Sequence, residues 1–240
     1  MSDSRDEKRG VEAVENLKVS GLSHVDFHRL DVKEQASIAS YAKFIEAHFG
    51  KLDILVNNAG DGGLVINCEA YRAFVLAGNV KVIDENAHLQ KDILKQTYEE
   101  AEEWVKTNYY GTKGVTEAFL PLLQLSQSAR IANISSFHGQ LKFIKNERAK
   151  AVLENVNDLI DEKIDEVSKA AVNAYTKLIA KRIPQHHINS IHPGRVKTEM
   201  TCDIVKLSPR EGARGPVLFS SLPETGPTGL FSDEIEVSSF

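Results

Sequence analysis

Segments with a helical repeat of apolar residues alternate along this chain with short strand-like segments. Apolar residues recur every three or four positions within residues 6–18, 35–49, 99–123 and 168–182, which predicts four helices. Strand-like segments follow these helices at 24–30, 52–56, 130–134 and 187–191. Helices that alternate with short buried strands are typical of a parallel sheet covered on both faces. The sequence therefore predicts an α/β fold with a doubly wound parallel sheet.

The length and charge of the chain limit its organisation and its partners. Its 240 residues, of which 42% are hydrophobic and 26% charged, suit one domain spanning residues 1–240. The net charge of -5 offers no basic face, so we expect neither nucleic acid nor a membrane surface as a partner. The sequence shows no signal-peptide pattern in its first ten residues and no apolar run of about 18 residues, which predicts a cytoplasmic protein.

The cysteines and histidines do not form a recognisable metal or disulfide pattern. Cys68 and Cys202 are too few for a disulfide framework and have no C-x-x-C spacing, so we expect two buried thiols in a reducing compartment. Among the eight histidines, only His24 and His28 have an i, i+4 spacing, and they fall in a strand-like segment. The sequence therefore predicts no metal site.

Polar residues recur where the predicted strands end. Residues 57–60 follow one strand, Ser135 and Ser136 follow the next, Lys169 opens a helix, and residues 193–198 follow the last strand. Because open parallel sheets bind ligands at the carboxyl ends of their strands, we expect these four sites to converge on one rim. Two polar tracts, 67–95 and 137–165, are predicted to cross the same rim; alternatively they are solvated charged helices with no role.

Five motifs carry a resemblance to a known family over nearly the whole chain. They are LDILVNNAG at 52–60, TNYYGTK at 107–113, RIANISSFHG at 130–139, VSKAAVNAYTK at 167–177 and INSIHPGRVKTEM at 188–200. In this order the motifs resemble the short-chain dehydrogenase/reductase family, and within it the plant branch of menthone reductases, neomenthol dehydrogenases and salutaridine reductases. The resemblance implies a Rossmann-like fold and an NADPH-dependent oxidoreductase of plant secondary metabolism. It implies a carbonyl reductase acting on a small apolar cyclic ketone, such as a terpenoid or alkaloid, with residues 137–165 as a substrate flap that keeps the chain monomeric.

The resemblance also assigns roles to individual residues. Ser136 is expected to hydrogen-bond the substrate carbonyl, Lys169 to hold the nicotinamide ribose and lower the pKa of a tyrosine, and Asn108 to anchor a water beside Lys169. Arg5 is expected to pair with the 2′-phosphate of NADPH. An equally supported alternative is that Arg5 is a flexible cation at the terminus. The residues expected to contact the cofactor are Arg5, Asp31, Val32, Asn58, Ala59, Gly60, Lys169, Pro193, Gly194, Val196 and Thr198.

The chain departs from the family pattern at the proton donor. The family has a tyrosine four residues before its lysine, whereas Asp165 stands four residues before Lys169. An aspartate is ionised at neutral pH, so it supplies no proton and opposes negative charge on a substrate oxygen. Tyr109 and Lys113 have the right spacing, but they lie in the Asn108 motif and we interpret them as a coincidence of one helix face. The junction at residues 167–168 indicates that a tract carrying the tyrosine is missing.

The chain also lacks the family's Gly-rich turn T-G-x-x-x-G-x-G, whose amides bind the pyrophosphate. We therefore expect a Rossmann-like sheet truncated at its amino-terminal βαβ portion, weakened in stability and in NADPH affinity. The strand at 24–30 is then expected either to pair with 52–56 or to leave an exposed apolar edge. The alternative function is a catalytically inactive isoform or remnant that acts at most as a ligand-binding or regulatory module. A third reading is that the printed sequence is incomplete.

Overall fold

The computed structural model describes residues 6–77, 93–95, 97–154, 168–205 and 207–239. The helices within these ranges are α1 (Glu7–Val19), α2 (Gln35–Phe49), α3 (Cys68–Leu76), α4 (Tyr98–Val105), α5 (Thr112–Leu123), α6 (Glu147–Glu154), α7 (Ser168–Arg182), α8 (Pro209–Gly212) and α9 (Arg214–Ser220). The strands are β1 (Ile54–Asn57), β2 (Val65–Ile66), β3 (Leu94–Lys95), β4 (Arg130–Ile134), β5 (His187–His192), β6 (Phe231–Asp233) and β7 (Glu236–Ser238).

The four predicted helices are confirmed, and local capping explains where they begin and end. The Asp6 side chain accepts a hydrogen bond from the backbone N–H of Arg9 and so caps α1. The helix α2 ends at Gly50, whose left-handed φ of 74° suits a residue without a Cβ. Between α4 and α5 the chain continues through a π-helical turn, Lys106–Gly111, so the long predicted helix is one continuous rod with a local widening.

The main sheet has the strand order β1-β4-β5-β6-β7. The pairs β1–β4, β4–β5 and β5–β6 are parallel, and only the last pair, β6–β7, is antiparallel. Helices α2, α5 and α7 bury the main hydrophobic core on one face, and α9 packs Phe219 against Ala132 and Ile191 on the other. The predicted α/β fold is therefore confirmed as a Rossmann-like, mixed sheet with helices on both faces; β2 and β3 form a separate antiparallel pair.

The predicted strand at 24–30 is wrong. This segment forms no strand, because no neighbouring strand within the described residues offers it a backbone ladder. Side chains hold it instead: the His28 ring stacks on Tyr41 at 5.0 Å between centroids, and the Phe27 ring leaves no room for a Cβ at Gly10. The segment does not pair with β1, so within the described residues β1 pairs with β4 alone and its other edge is bare.

The bare edge of β1 is apolar. Ile54 and Val56 remain 44% and 45% exposed, which is unusual for a strand of a covered parallel sheet. Two clefts of about 410 and 390 Å³ open near the start of this strand, around Phe49. They lie at the opposite end of the strand from the polar rim, so they do not mark the candidate site.

The prediction of two buried thiols is also wrong. Cys68 and Cys202 form a disulfide with a Cα–Cα distance of 5.4 Å across a sequence separation of 134 residues. Cys202 is buried, but Cys68 is exposed at the start of α3. Spacing along the sequence could not reveal this pair, because the fold brings α3 to the loop after β5. The argument from free thiols to a reducing compartment therefore has no basis.

The helices in the described ranges are not long and apolar enough to cross a membrane. The same ranges contain no group of three or more His, Cys, Asp or Glu side chains placed to hold a metal ion.

Candidate active site

The carboxyl ends of three parallel strands form one rim, as the sequence predicts. Register pairs Asn57 at the end of β1 with Asn133 of β4, and Asn133 with Ser190 of β5. The segments that continue from these strands therefore start at the same edge of the sheet. The first turn of α7 packs against the end of β4, where the Ser135 hydroxyl donates to the backbone oxygen of Lys169 at 3.4 Å.

Lys169 meets two of the other predicted residues at this rim. Its Nζ donates to the backbone oxygen of Ile134 at 3.0 Å. A Cβ built on Gly60 would lie 3.2 Å from Lys169 Nζ and 3.2 Å from Asn108 Oδ1, so the three residues are direct neighbours. A larger residue at position 60 would have to displace one of these polar groups.

Burial lowers the pKa of Lys169 from its usual 10.5 to about 8, and the negative charge of Asp61 opposes that shift. The ammonium is therefore held in a partly desolvated position with a carboxylate nearby. A cation in such a position interacts more strongly with developing negative charge than one in water.

Asn108 is fully buried in the π-helical turn. Its Oδ1 accepts from the backbone N–H of Asp61 at 2.8 Å, and its Nδ2 donates to the backbone oxygen of the same residue at 3.1 Å. The carboxamide therefore clamps the loop after β1 against the turn. The expected role of Asn108, anchoring a water, stays a prediction, while its role in positioning this loop is visible in these two bonds.

Ser136 lies beside an aromatic surface. Its Oγ accepts from the backbone N–H of His138 at 3.3 Å and caps a short 3-10 turn. The Phe137 ring lies 5.0 Å from that of Phe143 and 6.3 Å from that of His192. Both phenylalanines are partly exposed, and Lys142 Nζ lies 5.2 Å and 5.1 Å from the centroids of the Phe137 and Phe143 rings, so the surface next to Ser136 is aromatic and carries a cation.

The segment after β5 is held in a defined shape. Gly194 has a left-handed φ of 82°, and a Cβ there would lie 2.9 Å from Glu234 Oε1. Val196 forms a β-bridge with Leu207, and Thr198 caps the 3-10 turn Glu199–Thr201. Pro193, at the start of this segment, is half-buried.

The predicted adenosine contacts lie on two segments, residues 58–60 and residues 31–32. Asn58 is half-buried, whereas Ala59 is exposed. The Asp31 carboxylate accepts from the backbone N–H of Lys33 at 3.0 Å and so holds its own turn. Val32 packs against Gly111, where a Cβ would lie 2.8 Å from Val32 Cγ2.

Arg5 and Asp165 lie outside the described residues, as do residues 155–165 of the predicted substrate flap and residues 78–92 of the other tract.

Sequence reasoning missed a buried polar network beneath the rim. Asn57 Nδ2 donates to Thr116 Oγ1 at 3.0 Å and to Asn133 Oδ1 at 2.8 Å, and Asn133 Nδ2 donates to Thr176 Oγ1 at 2.9 Å. The network links β1 and β4 to α5 and α7. Asparagine inside a strand that is otherwise apolar was the available signal, because a buried amide requires partners.

Tyr109 does not replace the missing tyrosine at the rim. It is buried in the hydrophobic core, where its ring makes an edge-on contact with Tyr175 at 6.2 Å. This placement supports the interpretation of Tyr109 and Lys113 as a coincidence of spacing.

Comparison with known proteins identifies the family. Residues 3–148 match the sequence profile described as short chain dehydrogenase. The chain belongs to the short-chain dehydrogenase/reductase family.

Individual relatives are plant reductases and dehydrogenases. The chain is 43% identical to (+)-neomenthol dehydrogenase of Arabidopsis thaliana, over 99% of this chain and 88% of that one. It is 42% identical to salutaridine reductase of Papaver bracteatum, over 98% of this chain and 86% of that one. The solved salutaridine reductase of Papaver somniferum superposes with a TM-score of 0.84 at 39% identity, covering 95% of this chain and 88% of that one. The resemblance to the plant reductases is thereby confirmed.

The alignment with the Arabidopsis relative is longer than this chain. It runs over 269 positions, 29 more than the 240 residues of this chain. At least that many positions of the relative have no counterpart here. Loss of a tract ahead of Lys169 would leave an excess of this kind.

Proposed function

We propose that this chain is an NADPH-dependent carbonyl reductase that acts on a small apolar cyclic ketone of the terpenoid or alkaloid type. The observation that carries the proposal is the meeting of Lys169, Asn108 and Gly60 at the carboxyl ends of the strands. The names of the plant relatives, a neomenthol dehydrogenase and two salutaridine reductases, support the substrate class.

The residues of the rim suit the nicotinamide end of the cofactor. At Gly60 a Cβ would meet the Lys169 ammonium, so the backbone there lies beside a donor, and Gly194 has a left-handed φ of 82° that favours glycine. When bound, NADPH supplies the hydride.

Each group of the chain has a distinct task in this proposal. The Ser136 hydroxyl donates to the ketone oxygen, and the Lys169 ammonium stabilises the negative charge that develops there. The aromatic surface of Phe137 and Phe143 covers the apolar part of the ketone and excludes water. The backbone of residues 193–198 lines the opposite side of the rim.

A second candidate function is binding of the cofactor or ketone without turnover. The aspartate at position 165, where the family has its proton-donating tyrosine, favours this candidate. Without a proton donor the alkoxide product is not neutralised, so hydride transfer stalls.

One titration separates the candidates. The purified chain is titrated with NADPH by cofactor fluorescence, alongside Lys169→Ala and the matched control Lys181→Ala, an exposed lysine of the same helix. We expect saturable binding in the micromolar range, lost in Lys169→Ala and kept in Lys181→Ala. Oxidation of NADPH on addition of a cyclic ketone then supports the reductase. Binding without oxidation supports the second candidate. No binding of NADPH by a folded chain contradicts the reductase and leaves only ketone binding without turnover, which a titration with the ketone tests.

A cytoplasmic location and a monomeric state remain predictions of the sequence. Fluorescence microscopy of the tagged chain and analytical ultracentrifugation of the purified chain test them.

A further inference from the structure

The disulfide joins two segments that border the rim. Cys68 is the first residue of α3, and Cys202 directly follows the 3-10 turn Glu199–Thr201. Residues 193–202 therefore run from the end of β5 to the covalent joint. The position of this segment relative to α3 depends on what connects the two.

An exposed hydrogen bond also joins the two segments. Arg195 Nη2 donates to the Tyr71 hydroxyl at 2.8 Å on the exposed surface. A Cβ on Gly62 would lie 3.3 Å from Met200 Cγ, which places the loop before β2 against the same turn. An exposed hydrogen bond and a single apolar contact hold a loop far less firmly than a covalent bond.

The backbone at the joint lies in an unfavourable conformation. Cys202 has a φ of 50° and Asp203 a φ of 55°, the left-handed region that residues other than glycine rarely adopt. The N–H of Cys202 donates to the oxygen of Glu199 and that of Asp203 to the oxygen of Thr198. Opening the joint would let this turn relax toward a more common conformation.

We propose that Cys68–Cys202 is a reversible thiol–disulfide exchange site whose reduction releases residues 193–202 from α3. The reductant is a dithiol. Its first thiolate attacks Sγ of Cys68, the exposed cysteine, and forms a mixed disulfide while Cys202 leaves as a thiolate. Its second thiol displaces Cys68 from that mixed disulfide. The chain gains two electrons and two protons, and the dithiol leaves as its own disulfide.

The direction of attack is the first test, with glutathione as a monothiol probe. The oxidised chain is exposed briefly to glutathione, quenched with acid and mapped by peptide mass spectrometry. Because Cys68 is exposed and Cys202 buried, we expect the adduct on Cys68 in about tenfold excess or more. A predominant adduct on Cys202 overturns the proposal. Two free thiols that oxidised glutathione does not join overturn it as well.

Release of the loop is the second test, measured by amide hydrogen exchange in the oxidised chain, the chain reduced with dithiothreitol, and the double variant Cys68→Ser/Cys202→Ser. At labelling times too short for global unfolding, we expect residues 193–202 and 68–76 to exchange about tenfold faster in the last two samples, with β4 and β5 unchanged. Unchanged rates in residues 193–202 overturn the proposal, and so does faster exchange throughout the sheet, which indicates global loosening. Neither test requires cofactor or turnover, so the outcome of both tests is independent of the reductase function.

Discussion

Lys169 illustrates how a single buried charge couples the candidate site to the stability of the fold. Its pKa of about 8 lies below the usual 10.5, so the folded chain releases this proton at a lower pH than the unfolded chain. Between these values the unfolded state binds more protons, and the free energy of unfolding therefore rises with pH. Below pH 8 both states hold the proton, and the cost of the buried charge is constant.

Replacing Lys169 by Met should remove this dependence. Between pH 8 and 10 we expect the wild type to gain stability relative to Lys169→Met by an amount on the order of 1–3 kcal/mol. At neutral pH the variant should be the more stable of the two, because methionine fills the site without a charge. Urea unfolding across this pH range measures the difference. Parallel pH profiles of the two proteins would show that the lysine is solvated.

The same rim predicts the effect of two substitutions on turnover. If the chain reduces ketones, Lys169→Ala should abolish the reaction, and Ser136→Ala should lower its rate by on the order of 10² to 10³, the usual loss for one donor to a developing oxyanion. Steady-state oxidation of NADPH measures both, with Ser128→Ala as a serine control away from the rim. Unchanged rates in Lys169→Ala and Ser136→Ala would place the site elsewhere.

The buried network beneath the rim makes a prediction about stability. Asn133→Ala removes one hydrogen-bond partner from Asn57 and one from Thr176, which stay buried with only Thr116 and the backbone oxygen of Val172 as their remaining partners. We expect a loss of about 1–3 kcal/mol in the free energy of unfolding, the desolvation cost of such groups. Gln124→Ala, at an exposed position, serves as the control in the same urea titration. Equal midpoints for both variants would contradict the role given to the network.

At the scale of elements, the sequence predicted individual segments better than their pairing. Helix α7 and strand β4 were predicted with their observed bounds, because helical and strand periodicity are local properties. The segment 24–30 failed because alternation tells which side chains face the core, not whether a neighbouring backbone is present. Strands β6 and β7 were missed, since three residues each are too short for a periodic signal. The rim residues were predicted because carboxyl ends of parallel strands coincide.

The bare edge of β1 leads to a prediction about association. An exposed apolar edge strand can pair with another chain, and natural proteins commonly block such edges with lysine. A monomer leaves this edge unpaired; if the chain instead associates as its concentration rises, we expect Val56→Lys to reduce the association. Val217→Lys, at an exposed apolar position on α9, is the matched control. Sedimentation velocity over a concentration series measures the effect, and equal behaviour of both variants would assign the association to another surface.

At the scale of the whole molecule, the disulfide links parts of the chain that the sheet leaves apart. It joins α3 to the segment after β5 across 134 residues. Cross-linking residues so distant restricts the unfolded chain strongly, so oxidised protein should resist unfolding more than reduced protein by about 2–5 kcal/mol. The experiment needs no substitution, because urea unfolding with and without dithiothreitol compares the same chain. Cys68→Ser should match the reduced wild type and should not respond to the reductant. If the wild type unfolds at the same urea concentration in both conditions, the disulfide either is not formed or does not stabilise the folded chain.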